Sequence, residues 1–257
     1  MTNIHPTAIV DSKAELGSGV KIGPYAIIEA ETQIGDGTEI GYHAVIADGS
    51  TLGKNCKISP GAVIGTAPQD LKFGGEKTFV VIGDNTTVRE CATVNRATTH
   101  SYYTRVGDNC LLMAYSHVAH DCVLGNNVVI ANSVNMAGHI IIDDFVGIGG
   151  VTPIHQFVRI GAHSFIGGGL RVSKDVPPFI LAMGDPLRFG GLNRVGLQRR
   201  GFDDDRLNIL KQAYKIIYRS KLTLEQAAAE IENSLKVNSD IEYLLKFLKA
   251  SERGIIR

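Results

Sequence analysis

The chain has 257 residues, 44% of them hydrophobic, with Lys+Arg and Asp+Glu balanced at 26 each. A chain of that length can bury a sizeable core, and the balanced charge supplies no global field for nucleic acid or a membrane surface. No run is long and apolar enough to span a bilayer, and no basic segment leads an apolar stretch at the N-terminus, so a cytoplasmic protein without stable membrane insertion is expected.

From Ile4 every sixth residue is aliphatic as far as Ile64. The phase is interrupted at Asp70 and Glu76, resumes at Ile82, passes His100 and runs on to Val172, so that 26 of 29 positions are aliphatic. A period of six is neither helical nor a simple strand alternation; it marks a repeat that turns a corner every six residues. Two residues before each aliphatic position stands a small or β-branched residue, as at Ala8, Val20, Ala26, Thr38 and Ala62. Both positions are expected to point inward, the small one beside the large. Glycine often follows the aliphatic residue (Gly17, Gly23, Gly35, Gly53, Gly125), which suits a corner with unusual dihedrals. This hexapeptide pattern resembles the left-handed parallel β-helix family, with three hexads to a coil of eighteen residues. The fold class expected is therefore mainly β, a left-handed parallel β-helix with a small helical domain after it. The handedness comes from the resemblance, since it departs from the right-handed crossover rule. Residues 4–172 would make about nine coils, a prism on the order of 45 Å long.

Along the chain, residues 1–172 form the solenoid, with an inserted loop near 66–81 rich in polar residues, Pro68 and paired Gly74-Gly75. An excursion from a regular solenoid is where recognition is expected. A second interruption, Thr98 to Tyr103, reads as another loop. Cys56, Cys110 and Cys122 occupy the small inward position and Cys91 is isolated; with no CxxC pair they read as packing residues rather than a redox or zinc motif.

Positions eighteen apart fall on one edge of successive coils, roughly 4.8 Å apart. His120, Gly138 and Gln156 form one such column, Asp121, His139 and Phe157 the next, and Ala119, Ala137 and His155 the one before. His117 borders the patch, whereas His163 lies further along and reads as incidental. Such a cluster fits a histidine acting as general base, since a neutral imidazole accepts a proton near physiological pH. A zinc site using His117 and His120 is a weaker fit, because no metal-ligand spacing is reproduced; no metal is expected.

Residues 173–202, opening with Lys174-Asp175-Val176-Pro177-Pro178, are expected to be an irregular connection. Residues 203–257 read as helical. Leu207, Leu210, Ala213, Tyr214, Ile217 and Tyr218 make one apolar face behind the acidic start Asp203-Asp204-Asp205. Thr223–Gln226 and Ser239–Glu242 each read as a capping box opening a further helix, about 224–236 and 240–251. Residues 171–221 hold eleven Lys and Arg against five Asp, a local balance of +6 that suits a phosphorylated substrate or an acidic carrier protein.

The stretches Pro68-Gln69-Asp70-Leu71-Lys72, Ser116-His117-Val118-Ala119-His120-Asp121-Cys122, Ala137-Gly138-His139, Ile154-His155-Gln156-Phe157 and Arg199-Arg200-Gly201-Phe202, in this order and spacing, resemble the UDP-N-acetylglucosamine acyltransferase family that begins lipid A synthesis. The likeness covers nearly the whole chain. It implies transfer of an (R)-3-hydroxyacyl group from acyl carrier protein to the glucosamine 3-position of UDP-N-acetylglucosamine. No separate cofactor is implied, the donor being carried on the carrier's phosphopantetheine. By the same resemblance His120 is the general base, Asp121 orients it, and the Gly138 N–H stabilises the oxyanion. Gln69, Asp70, Lys72, His117, His139, His155 and Gln156 match or adjoin sugar-nucleotide positions. Asn193, Arg199 and Arg200 match positions near the nucleotide and carrier-derived chain. Gly168 matches the end stop of the acyl groove, and the family is a homotrimer with its sites between prisms. Asn95 and Ala97 depart from the His and Gly common at those positions, which leaves open an acceptor with a 3-amino group and an amide product. An acetyl-CoA-dependent enzyme on the same solenoid, and a non-catalytic sugar-nucleotide binding protein, are the remaining alternatives.

Overall fold

The computed structural model describes residues 2–257. Strands of two to four residues stack into three parallel sheets, one to each face of a triangular prism. Hydrogen-bonded partners are eighteen apart through the first coils, with Ile4 opposite Ile22 and Ile22 opposite Ile40. The repeat therefore closes one turn every three hexads, and the solenoid is a left-handed parallel β-helix.

From Ile22 to Val172 every aliphatic residue at the sixth position is at most 3% exposed. Their small partners Val20, Ala26, Thr32, Thr38, Ala44 and Ala62 are fully buried. A large and a small side chain from each face fill the prism to crystal-like density, which is why the period tolerates so few exceptions. Ile4 is 42% exposed because the first coil has nothing below it.

Both interruptions keep the phase because their lengths are multiples of six. Ile64 pairs with Val94 and Leu52 with Ile82, thirty residues away, so the first loop adds twelve residues to a coil. Ile82 then pairs with Val106 and Val94 with Val118, twenty-four away, so the second adds six. Together they remove one coil's worth of residues from the ladder. The prism thus has about eight coils rather than nine, roughly 40 Å at 4.8 Å per rung.

The glycines after the aliphatic residue serve a purpose different from the one expected. The corner residue in the left-handed region stands three places after the aliphatic residue and is mostly not glycine: Tyr115, Asp121, Asn127, Ser133, His139, Phe145, Val151, Phe157 and His163 all have φ between 55° and 63°. Each such corner costs on the order of 1–2 kcal/mol and persists because the ladders on both sides fix it. Gly17 and Gly53 have ordinary φ, but a Cβ there would strike the backbone of the next coil, 2.7 Å from Asp36 N and Asp84 N respectively. Close approach between coils requires them. Gly65, at the first loop, is the exception with φ 88°.

Residues 173–202 are not irregular. After Pro177 and Pro178 the chain forms a hairpin, Ile180–Met183 with Arg188–Leu192, whose first strand adds in parallel to Phe165–Ile166 and extends one face of the prism. A short helix α1, Arg194–Arg199, follows. The tail then forms α2 (Asp204–Arg219), α3 (Leu224–Ser234) and α4 (Ser239–Lys249). Asp203 caps α2, and Thr223 with Gln226 makes a reciprocal capping box on α3. The box expected at Ser239 is absent: Asn238 caps α4 by accepting from Ile241 N, which places Ser239 inside the helix. The tail is tied to the prism by Tyr214, whose hydroxyl donates to Pro178 O, and by Tyr243, which accepts from Ala162 N at 2.8 Å and donates to Asp143. Burial pushes both phenols above their ordinary range.

Candidate active site

The site lies along one edge of the prism, where the face holding His117–Val118 turns into the face holding Val123–Leu124. Both inserted loops leave from this same edge, one coil apart. The first lies between the strands Val63–Thr66 and Phe79–Ile82, the second between Thr93–Asn95 and Tyr103–Val106.

His120 Nδ1 is 2.8 Å from Asp121 Oδ2, and the Asp121 side chain is fully buried. Asp121 reaches back to the preceding residue because it occupies the left-handed corner, with φ 59°. The second loop holds it there. Thr98 donates through its N–H and its hydroxyl (2.8 Å), Ser101 through its N–H (3.1 Å) and its hydroxyl. Burial alone would raise the Asp121 carboxyl, but the hydrogen bonds from Ser101, His120 and Thr98 outweigh it and hold it below its ordinary value. A carboxylate only accepts, so the proton on His120 belongs on Nδ1, and Nε2 presents a lone pair.

That lone pair lies beside Gly138. A Cβ on Gly138 would collide with His120 Cε1 and stand 2.6 Å from Nε2, so the column places the two residues in direct contact. The Gly138 N–H has no acceptor among the described residues. At matching positions of a neighbouring edge the N–H is taken by a side chain of the next coil, Asp84 N by Asp108 and Asp108 N by Asn126. Gln156, next in line above Gly138, makes no such bond, and the donor is left free.

Three imidazoles meet at the corner. His139 stands edge-on to His120 at 5.0 Å and to His100 at 4.6 Å, and it stacks flat on Phe157 at 4.5 Å. Its Nδ1 is buried without a partner. Burial, opposed by the Asp121 charge, holds His139 below its ordinary range; burial, helped by the charge of His120, does the same to His117. Both stay neutral near pH 7. His117 Nδ1 is 2.7 Å from Thr93 Oγ1, and His155 Nδ1 donates to Gln156 O at 3.0 Å. Asp70, in the first loop, lies near enough for its charge to act on His139; it also accepts from Lys72 N at 3.0 Å. Gln69 and Lys72 are exposed. The donor atoms of His120, Asp121 and His139 lie within 4.8 Å of one another, a spacing a metal ion could bridge. The Asp121 oxygens are already engaged by Thr98, Ser101 and His120, so this corner fits a proton acceptor better than a metal.

The remaining expected residues lie elsewhere on the protomer. Gly168 packs over Gly150, at the edge between the faces of Phe165–Ile166 and Pro153–Ile154. Arg200 sits 4.9 Å over the Phe145 ring, at the third edge, with Arg199 exposed beside it. Asn193 is committed to structure: its Oδ1 caps α1 by accepting from Gly196 N, and its Nδ2 donates to His163 O at 2.9 Å. Asn95 and Ala97 are buried; Asn95 Nδ2 donates to Thr66 Oγ1 at 3.2 Å and its Oδ1 has no partner. The sequence carries no sign of the part played by Thr98, Ser101 and His100, because nothing in a six-residue insertion shows which corner it folds back upon.

Comparison with known proteins decides the family. The chain is 56% identical over 256 residues to the acyl-[acyl-carrier-protein]–UDP-N-acetylglucosamine O-acyltransferase of Sulfurihydrogenibium sp. (strain YO3AOP1), covering 99% of this chain and 94% of that one. It is 57% identical over 248 residues to the enzyme of the same name from Chlorobaculum tepidum, covering 96% and 94%. The chain belongs to the UDP-N-acetylglucosamine O-acyltransferase family. Residues 175–256 match the second domain described for that family, and residues 31–66 and 103–138 match the bacterial transferase hexapeptide repeat. The solved UDP-N-acetylglucosamine acyltransferase of Bacteroides fragilis superposes with a TM-score of 0.97 at 44% identity, covering 98% of this chain and 99% of that one. That of Acinetobacter baumannii gives 0.96 at 40% identity, covering 99% of each. No helix among the described residues of this family member is long and apolar enough to cross a membrane.

Proposed function

We propose that this acyltransferase moves an (R)-3-hydroxyacyl group from acyl carrier protein to the glucosamine 3-hydroxyl of UDP-N-acetylglucosamine, the opening step of lipid A synthesis, in the cytoplasm. The observation that carries the reading is the pairing of a free His120 Nε2 with a free Gly138 N–H on one edge of the prism. Nε2 takes the proton of the sugar hydroxyl as its oxygen attacks the thioester carbonyl. The carbonyl oxygen gains the negative charge of the tetrahedral intermediate, and the Gly138 N–H donates to it; such a donor is commonly worth about 3 kcal/mol of barrier. Collapse breaks the C–S bond, and the imidazolium returns its proton to the departing thiolate, leaving the ester and the free carrier thiol. Asp121 stabilises the imidazolium between the two transfers. His139, with its unpartnered Nδ1, together with His117, His155, Gln156, Asp70, Gln69 and Lys72, forms the sugar-nucleotide side of the cleft.

The placement of the other residues supports a homotrimer. Arg199, Arg200 and Gly168 lie on different edges from His120, so if all of them serve one site, that site draws on more than one prism. Three prisms side by side bring unlike edges together, His120 from one protomer facing the arginines and the acyl groove of its neighbours. Incubation with UDP-N-acetylglucosamine and a panel of hydroxyacyl carriers, followed by mass spectrometry, tests the reading. An ester product from wild type and loss of at least a thousandfold of turnover in His120→Ala is the expected result. Full turnover in His120→Ala, or nucleotide binding without turnover in wild type, refutes it. The departures at Asn95 and Ala97 make the 3-amino sugar the second acceptor to offer, with an amide product.

A further inference from the structure

The first loop is aimed from its two ends. Within residues 67–76 the hydrogen bonds are local: Lys72 N donates to Asp70 Oδ1 at 3.0 Å, Phe73 N to Asp70 O at 3.1 Å and Gly74 N to Glu76 Oε2 at 2.9 Å. Among the described residues no hydrogen bond ties this segment to the prism. The chain leaves the coil at Gly65, where φ is 88° and the ladder slips between Ile64 and Thr66. Arg96 N therefore donates to Thr66 O at 3.0 Å, and the Gly65 carbonyl is met by Arg96 Nε at 2.7 Å. Nη2 of the same guanidinium donates to Asp48 O at 2.6 Å and to the Asp48 carboxylate. The Arg96 side chain is only 12% exposed. At the far end of the loop Thr78 Oγ1 donates to Ala97 O at 2.6 Å, and Ala97 N donates to Phe79 O at 3.4 Å. The Lys77–Glu31 pair there is largely exposed and contributes little. Both ends are thus gripped by Asn95-Arg96-Ala97, and the next residue, Thr98, holds Asp121.

We propose that Arg96 is a positioning residue for the sugar nucleotide: by pinning Gly65 to Asp48 it fixes where the first loop, and Asp70 on it, stands against the His139 corner. The proposal rests on that loop belonging to the sugar-nucleotide side of the acyltransferase cleft. A planar guanidinium stays charged and presents its donors in a fixed fork, so it holds a carbonyl and a carboxylate at a set angle; a lysine ammonium is a single point on a flexible stem. With no tie of its own to the prism, the loop carries any rotation at its root out to Asp70. Removing the fork leaves the loop intact but spread over several directions, and affinity falls with the fraction of molecules whose loop stands in the binding direction. Asp121 is held through Thr98 and Ser101 rather than through the guanidinium, so the base keeps its geometry. The loss belongs in KM and not in kcat.

The test uses the full chain with UDP-N-acetylglucosamine as the varied substrate and a saturating hydroxyacyl carrier. In Arg96→Gln, KM and the Kd of the nucleotide sugar are expected to rise at least tenfold, the binding-competent fraction falling to about a tenth, with kcat within threefold of wild type. Arg96→Lys keeps the charge and loses the fork; it should fold even where Arg96→Gln does not, and show a smaller rise in the same direction. Hydrogen exchange reads the placement directly. Amides of residues 65–78 should exchange faster in either variant, while those of Thr98 and Ser101, which donate to Asp121, stay within twofold. Combined with Asp70→Ala, Arg96→Gln should lose at least threefold less than the product of the two single losses, since both act through one loop. Unchanged KM in both variants overturns the proposal, as does a loss confined to kcat. So do equally faster exchange at Thr98 and Ser101, which would mean general loosening, and losses that simply multiply. If wild type turns over no hydroxyacyl donor, the acyltransfer reading itself has failed, and Kd and hydrogen exchange still decide the part played by Arg96.

Discussion

Gly138→Ala isolates the geometry of the proposed base from the donor beside it. The new Cβ would lie 2.6 Å from His120 Nε2 and 3.0 Å from Nδ1, and closer still to Cε1. Ordinary contact needs at least 3.4 Å, so the ring must shift by about 1 Å, the scale of misplacement that costs about 100-fold in rate. The ring cannot move freely. Its Nδ1 is bonded at 2.8 Å to a buried carboxylate, and His139 closes one side at 5.0 Å. A shift of that size stretches the Nδ1–Oδ2 bond beyond hydrogen-bonding range and forfeits about 1.5–3 kcal/mol of charge-assisted interaction. The alanine keeps its N–H, and Gly138 has ordinary φ, so neither the oxyanion donor nor the backbone is impaired. The expected outcome is a kcat lower by about 100-fold, or about 2.7 kcal/mol, with KM for the nucleotide sugar within threefold and the melting temperature within a few degrees. Steady-state kinetics beside thermal unfolding measure all three. A kcat within twofold of wild type would refute the idea that His120 and Gly138 share the reacting space.

Asp121→Asn replaces an acceptor by a group that turns NH2 hydrogens toward donors on Thr98 or Ser101; kcat should fall by about 100-fold and the melting temperature should drop, since a buried hydrogen-bond network loses about 1–3 kcal/mol for each unsatisfied group. His163 is packed between Phe145 and Phe179, and burial pushes it down to about 4. Because the unfolded chain protonates near 6.5 while the folded one does not, stability that His163 contributes above pH 6.5 is lost progressively as pH falls toward 4. Its Nδ1 has no partner to lose, so His163→Phe should be more stable than wild type at pH 5 and flatten the acid limb of the melting profile; an unaltered limb would show that His163 takes no part in acid unfolding. Gly168 is exposed with ordinary φ, and a Cβ there would stand 3.0 Å from Gly150 O, so the coil must give by a few tenths of an ångström; Gly168→Met should fold with a lowered melting temperature and shift acyl competition toward shorter donors. An unchanged profile would remove its role as the end of the groove.

Much of this molecule was legible in the sequence. The period of six from Ile4 to Val172 marks every residue of the common core, and the resemblance to the hexapeptide-repeat family supplied the three hexads to a coil that the register then shows. Once eighteen is known, His120, Gly138 and Asp121, His139 fall into adjacent columns by counting alone. The tail was equally local: the α2 face and the Thr223 box are set by residues three and four apart.

Folding alone decided what depends on distance along the chain. The length of each loop could be read, but not that both leave from the edge bearing His120, so Thr98 and Ser101 gave no sign that they hold Asp121. The hairpin after Pro178 was hidden because strand addition depends on the open edge of a sheet formed earlier in the chain, not on its own alternation. The role of the glycines is hidden for the same reason: sequence shows a missing side chain, and only the stacked coils show that the next turn fills its space. Local patterns fix what a segment becomes, since hydrogen bonds and side-chain periodicity act over a few residues. Which segments meet is settled by packing, and the proposed site depends on that meeting.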